Sequence, residues 1–142
     1  MNVINQISAG GIVYKKQARQ TLWLITQHSQ HKGWVFPKGF IADVNKNESN
    51  ETAALREVEE EGGIKAKIIN PKPIISKYEY EYEGTLYKKT VYYFLMEYIS
   101  GDPKNHDWEM MDAKFVSTDE VKRTLTYPSD KEAFEEILRI RL

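Results

Sequence analysis

Arg56-Glu57-Val58-Glu59-Glu60-Glu61-Gly62-Gly63-Ile64 is the stretch from which the rest of this chain is read. It has the pattern of a helix C-terminus. The glycine pair is a strong stop signal, because glycine takes the left-handed conformation without strain. The acids stand at the wrong end: the last turn of a helix carries partial negative charge and disfavours carboxylates. Glu57 lies at i,i+3 from Glu60 and i,i+4 from Glu61, so three like charges share one face, at about 0.2–0.5 kcal/mol per pair in an isolated helix. A divalent cation held by those carboxylates would reverse the sign of that term. An acidic run taken alone reads as a solvated face, so its neighbours decide the matter.

Upstream, Ser49 suits an N-cap and Glu51 the dipole-favoured first turn, which predicts a helix over 50–62. Before it stand a short strand, Trp34-Val35-Phe36, a tight turn at Pro37-Lys38-Gly39, and a polar loop at Ala42-Asp43-Val44-Asn45-Lys46-Asn47. Ile4 to Tyr14 is apolar and β-rich, Lys15 to Gln20 is a polar turn, and Thr21 to Gln27 alternates as the return strand of a hairpin. Downstream, Ile64 to Ile69 is a strand. Ile74 to Glu83 alternates, with Tyr78, Tyr80 and Tyr82 on one face and Lys77, Glu79, Glu81 and Glu83 on the other. Gly84 turns the chain into a long strand from Thr85 to Ile99. Ala113 to Ser117 is a short strand, Thr118 to Leu125 a helix, and Ser129 caps a last helix whose apolar set is Ala133, Phe134, Ile137, Leu138 and Ile140. Strands on both sides of one helix, with helices at the end, give an α+β class with a mixed sheet between helices.

The bulk numbers narrow the function. At 142 residues the chain is long enough for one domain, 1–142, with its own core. A net charge of −1 argues against general binding of nucleic-acid polymers or of membrane surfaces. With no cysteine there are no disulfides, thiolate zinc sites or thiol nucleophiles, which is compatible with a reducing cytoplasm. Met1 to Gln6 lacks signal-peptide features, and no apolar run is long enough to span a bilayer. His28, His31 and His106 include no pair with zinc-site spacing and read as surface or site-rim residues.

From Glu48 to Ile64 the chain resembles the Nudix hydrolases, whose box reads G-x5-E-x7-R-E-U-x-E-E-x-G-U with U a bulky aliphatic. Seven residues separate Glu48 from Arg56, and Glu57, Val58, Glu60, Glu61, Gly63 and Ile64 fall where the box wants them. The departure is at the front, where eight residues rather than five lie between Gly39 and Glu48. The resemblance implies an α/β/α sandwich and a pyrophosphohydrolase that uses Mg²⁺ or Mn²⁺. It implies Glu57, Glu60 and Glu61 as metal ligands, with Glu57, Glu60 or a loop carboxylate as general base and Arg56 orienting the acids. Many members carry a further metal-binding or basic Glu six residues before an aromatic strand residue, and Glu109 stands six before Phe115. Chemically the set is coherent. Carboxylate oxygens suit hard cations, and such cations neutralise a pyrophosphate and acidify a bound water.

Within that family the chain looks like the diadenosine tetraphosphate hydrolase branch. Trp34-Val35-Phe36-Pro37-Lys38-Gly39 fits its Trp-x-x-Pro-Lys-Gly stretch, and Lys89-Thr90-Val91 with the aromatics after it fits its Lys-Thr-Val segment. This implies phosphate contacts from Lys38, Gly39 and Lys89 and a base-stacking tyrosine at Tyr82 or Tyr87. Gly33 stands where the branch often has a histidine. The expected partner is a small nucleotide, bound by a monomer or homodimer. Two alternatives stay open: a nucleoside triphosphate or diphosphoinositol polyphosphate pyrophosphatase, and a non-catalytic Nudix domain that senses a ligand. The second usually loses box acids, and this chain keeps them.

Overall fold

Strand alternation builds two cores on opposite faces of one sheet. The computed structural model describes residues 1–41 and 47–140, so the lengthened loop, apart from Asn47, lies outside the described residues. The order is β1 (Asn2–Gln17), β2 (Gln20–His28), β3 (Trp34–Val35), β4 (Lys38–Phe40), α1 (Asn50–Gly62), β5 (Ile64–Ile68), β6 (Ile74–Tyr82), β7 (Thr85–Gly101), β8 (Met110–Ser117), α2 (Thr118–Thr124) and α3 (Pro128–Ile140). A single 3-10 turn occupies Pro103–Asn105. These strands form one mixed sheet. β1 runs parallel to β7 from Asn2↔Thr85 to Tyr14↔Glu97. It is also antiparallel to β4 through Ser8–Gly10 and to β2 through Tyr14–Gln17. β7 pairs with β6 along its first half and with β5 along its second.

Because successive side chains point to opposite faces, Ile12, Val91, Tyr93 and Leu95 meet Val121 and Leu125 at α2 and its end, and Ala133, Phe134 and Ile137 of α3. Ala9, Val13, Phe94 and Met96 meet Ala53, Ala54 and Val58 of α1 on the other side. The result is the expected sandwich. Helix α1 has the predicted bounds and caps. Ser49 Oγ accepts from the Thr52 amide at 3.1 Å, and Gly63, at φ 73°, donates to Glu59 O at 3.0 Å.

Four local expectations change. Pro37-Lys38-Gly39 does not form a tight turn: Lys38–Phe40 is a strand laid on β1, made possible because Gly10 has no Cβ to strike Pro37 O and Lys38. The polar turn between β1 and β2 shrinks to Ala18-Arg19, with Ala18 at φ 57°. The strand expected from Ala113 begins at Met110. Ser129 lies inside the first turn of α3 rather than capping it, because Pro128, with φ already set for a helix, takes the first position. No helix of the described residues is long and apolar enough to cross a membrane.

The α3 face hides one costly group. Asp130 is 2% exposed; its Oδ1 accepts from Tyr93 Oη at 2.8 Å, while Oδ2 has no partner. Burial raises its pKa, opposed by the Lys38 charge and the Tyr93 hydrogen bond. A raised carboxyl pKa makes the fold lose stability as pH rises past the ordinary carboxylate range. Asp130→Asn is therefore expected to exceed the parent in urea-unfolding free energy at pH 8 and to match it near pH 4. A variant weaker than the parent at both values would show that the charge is compensated.

Candidate active site

The spacing of α1 sorts its acids. Glu57 and Glu61, four apart, face inward and are 7% and 5% exposed, whereas Glu60 turns outward. β4 lies across the buried pair. The Lys38 amide donates to Glu61 Oε1 at 3.1 Å, and a Cβ at Gly39 would run into the Glu57 carboxylate. Glycine at 39 thus keeps a cradle open beside that acid.

Arg56 supplies the cationic centre. Nε donates to Glu48 Oε2 at 2.7 Å and Nη2 to Glu48 Oε1 at 2.9 Å, the two-pronged geometry that suits a guanidinium. Nη1 reaches Glu60 Oε2 at 3.3 Å and Glu57 Oε2 at 3.5 Å. The Glu48 hydrogen bonds, with the charges of Glu57, Glu48 and Glu60, push the arginine pKa still higher. Glu48 is thereby a brace between the loop and the helix.

The loop after β7 closes the other side. Its Asp107 amide donates to Glu60 O at 2.8 Å, satisfying a carbonyl that the helix end leaves open. The Glu109 amide donates to Asp107 Oδ1 at 3.1 Å, and Glu109 O accepts from the Ser29 amide at 2.9 Å. Glu109 and Asp107 then add negative charge beside the buried pair. Burial, with repulsion from Glu60, Glu109 and Asp107 and against the pull of Arg56, lifts Glu57 to about 7. Burial, with repulsion from Glu57, Asp107 and Glu109 and against the Lys38 amide, lifts Glu61 to about 9. Asp107 is raised by burial and by Glu60, against the Glu109 amide.

Among the described residues no three acidic or imidazole groups are already gathered into a metal cluster. Glu60 is drawn toward Arg56 instead. The donor set nonetheless fits a hard divalent ion. It is all oxygen, the ionisation of two of its acids is held back by burial and then by like charge, and Gly39 leaves room beside Glu57. Glu57, Glu60, Glu61 and Glu109 are the residues that could hold it.

The sheet face on the α3 side carries cations and rings. Strand register aligns Gln6, Lys89 and Tyr78 in one row and Ile4, Tyr87 and Tyr80 in the next. Tyr87 and Tyr80 stack at 5.1 Å. Lys38 Nζ sits 5.4 Å from the Tyr78 ring centre, and Lys89 Nζ sits 4.6 Å from that of Phe40. Burial and the nearby Lys38 charge lower the Lys89 pKa. Of the two tyrosines singled out, Tyr87 joins this surface, whereas Tyr82 lies at the exposed hairpin end opposite Thr85. His31 comes near Lys38: its Nδ1 lies 3.0 Å from the Gly33 amide and 3.0 Å from Tyr127 Oη, and burial, His28 and Lys38 lower its pKa. Sequence reading undervalued Asp107, Tyr78, Tyr80 and Phe40. The alternating tyrosine stripe was a signal for two of them; nothing in the sequence marks Asp107 above Asp112.

The sequence model of the NUDIX domain matches residues 4–137. The chain is 28% identical over 141 residues to mutator protein MutT4 of Mycobacterium tuberculosis, covering 95% of this chain and 55% of that protein. It is 30% identical over 124 residues to Nudix hydrolase 6 of Arabidopsis thaliana, covering 84% and 41%. It therefore spans about half the length of these relatives. Its fold is similar to that of a C. elegans Ap4A hydrolase in a binary complex, with TM-score 0.78, 23% identity, and 96% and 97% of the two chains covered. It is also similar to the NUDIX domain of Shewanella oneidensis NrtR complexed with ADP ribose, with TM-score 0.68, 20% identity, and 96% and 88% covered.

Proposed function

The chain belongs to the Nudix family, and from that premise we propose that it is a metal-dependent pyrophosphohydrolase whose substrate is a dinucleoside polyphosphate such as diadenosine tetraphosphate. The observation that carries this reading is the buried pair Glu57 and Glu61 beside Gly39, with the Lys38 amide bonded to Glu61 and the Lys38 ammonium over the Tyr78 ring. The likeness in fold to an Ap4A hydrolase supports the substrate class.

Each residue then has a task. Lys38 and Lys89 neutralise the phosphate chain, and the exposed edge of the tyrosine stack offers a plate to a base. Glu57, Glu60, Glu61 and Glu109 would hold Mg²⁺ or Mn²⁺, which would supply charge neutralisation of the anhydride and a more acidic water. Glu57 or Glu60 takes the proton from the attacking water as the P–O–P bond breaks. Arg56 fixes the direction of both acids while Glu48 fixes Arg56.

The test is product release from dinucleoside polyphosphates, nucleoside triphosphates, sugar nucleotides and inositol pyrophosphates, each with Mg²⁺, Mn²⁺ or chelator. Diadenosine tetraphosphate should be cleaved with metal and not with chelator. Lys89→Ala should raise KM for it about 10-fold or more, the worth of a charge-assisted hydrogen bond, and raise KM for ATP less, because a longer chain reaches farther from the acids. Equal losses would make Lys89 general electrostatics. Cleavage of another class alone would replace the substrate assignment.

A further inference from the structure

Among the described residues Trp108 is the most exposed large hydrophobic one, at 81%, and it stands between Asp107 and Glu109. The loop that displays it is tied on both sides. Asp107 is bonded to Glu60 at the end of α1, and Glu109 to Ser29 in the turn after β2. The Asp107 carbonyl also accepts from the Met110 amide, closing a turn around the tryptophan. An indole held in water by a fixed loop has surface to bury and little entropy left to lose in burying it.

Its place is informative. Lys89 lies near Lys38, the Lys38 amide holds Glu61, and Asp107 and Glu109 add negative charge near Glu57 and Glu61. Trp108 stands on the loop bonded to the end of α1, and the Tyr80–Tyr87 stack on the sheet face that carries Lys89 and Tyr78. We propose that Trp108 is a specificity-determining residue, stacking the second ring of a substrate that carries a ring at each end of its phosphate chain. This rests on the pyrophosphohydrolase reading of the acids. It separates two-ringed substrates from nucleoside triphosphates, which have one ring and leave one plate empty.

Stacking of one base on an aromatic side chain is worth about 1–3 kcal/mol, or about 5- to 150-fold in affinity. The test compares kcat/KM for diadenosine tetraphosphate and for ATP in wild type, Trp108→Ala and Trp108→Phe. The preference for the dinucleotide over ATP should fall at least 5-fold in Trp108→Ala, through KM, and return largely in Trp108→Phe. Titration with a non-hydrolysable methylene analogue of diadenosine tetraphosphate should also quench tryptophan fluorescence. That quench should be lost in Trp108→Phe, which keeps Trp23 and Trp34. Cleavage of the dinucleotide with an unchanged preference in Trp108→Ala would overturn this inference alone. Failure of the wild type to cleave any dinucleoside polyphosphate would overturn the functional reading and the inference with it.

Discussion

Glu57→Gln is expected to cut turnover by about 10²–10⁴-fold, the usual worth of a positioned base or of the charge that activates its water. The fold should survive the change, and in chelator it should gain. Glu57 is lifted to about 7 from the ordinary 4.5, so its proton is held more tightly in the folded state. Stability tied to that group is present below about 4.5 and is lost as pH rises to about 7. Gln mimics the neutral form and loses nothing over that window. The variant and the parent should therefore unfold alike near pH 4, and the variant should be the more stable above pH 7. Urea titrations at both pH values, with turnover at saturating Mg²⁺, decide the point. Wild-type turnover would remove Glu57 from the chemistry.

Gly39→Ala is expected to cost nearly as much without touching an acid. The added Cβ would occupy the space of the Glu57 carboxylate, so either that carboxylate or β4 must move. Displacing a reacting group by about 1 Å can cost on the order of 10²-fold in rate. The damage should appear in kcat at saturating metal, with the far-ultraviolet circular dichroism of the sheet and helices retained. Gly84→Ala is the control. Gly84 has a positive φ, which Gly39 lacks, but nothing lies within contact distance of its added Cβ. Wild-type kcat in Gly39→Ala would mean that the cradle is not where the reaction occurs.

How much of this was legible beforehand depends on whether a residue's partners are near in sequence. Helix α1 was readable because Ser49 and Gly63 are local devices and act where they stand. The tyrosine stripe of β6 was readable from alternation alone. Strand β4 was not: Lys38–Phe40 is three residues long, and its place depends on the missing Cβ of Gly10 in β1. Arg56 was expected to orient acids by ion pairing, but its grip on Glu48 depends on how the chain enters α1 ahead of the Ser49 cap. Asp107 enters the site through a backbone bond to Glu60, and any residue but proline could make that bond. Side-chain identity therefore gave no warning. Tyr78 and Tyr80 were visible as a stripe, but their neighbours Lys38, Lys89 and Tyr87 are set by strand register.

The parallel pairing of β1 with β7 has a consequence for synthesis. The first strand leaves the ribosome long before its partner, since Asn2 must wait for Thr85 and Tyr14 for Glu97. Non-local parallel pairing is slow because loop closure precedes its reward. Until β7 emerges, α1 and β2 have only half a sheet to settle on, and β1 is a nascent apolar strand without its long neighbour. Val3, Ile4 and Ile7 stay exposed even in the finished fold, so this end of β1 offers apolar surface throughout synthesis and after it.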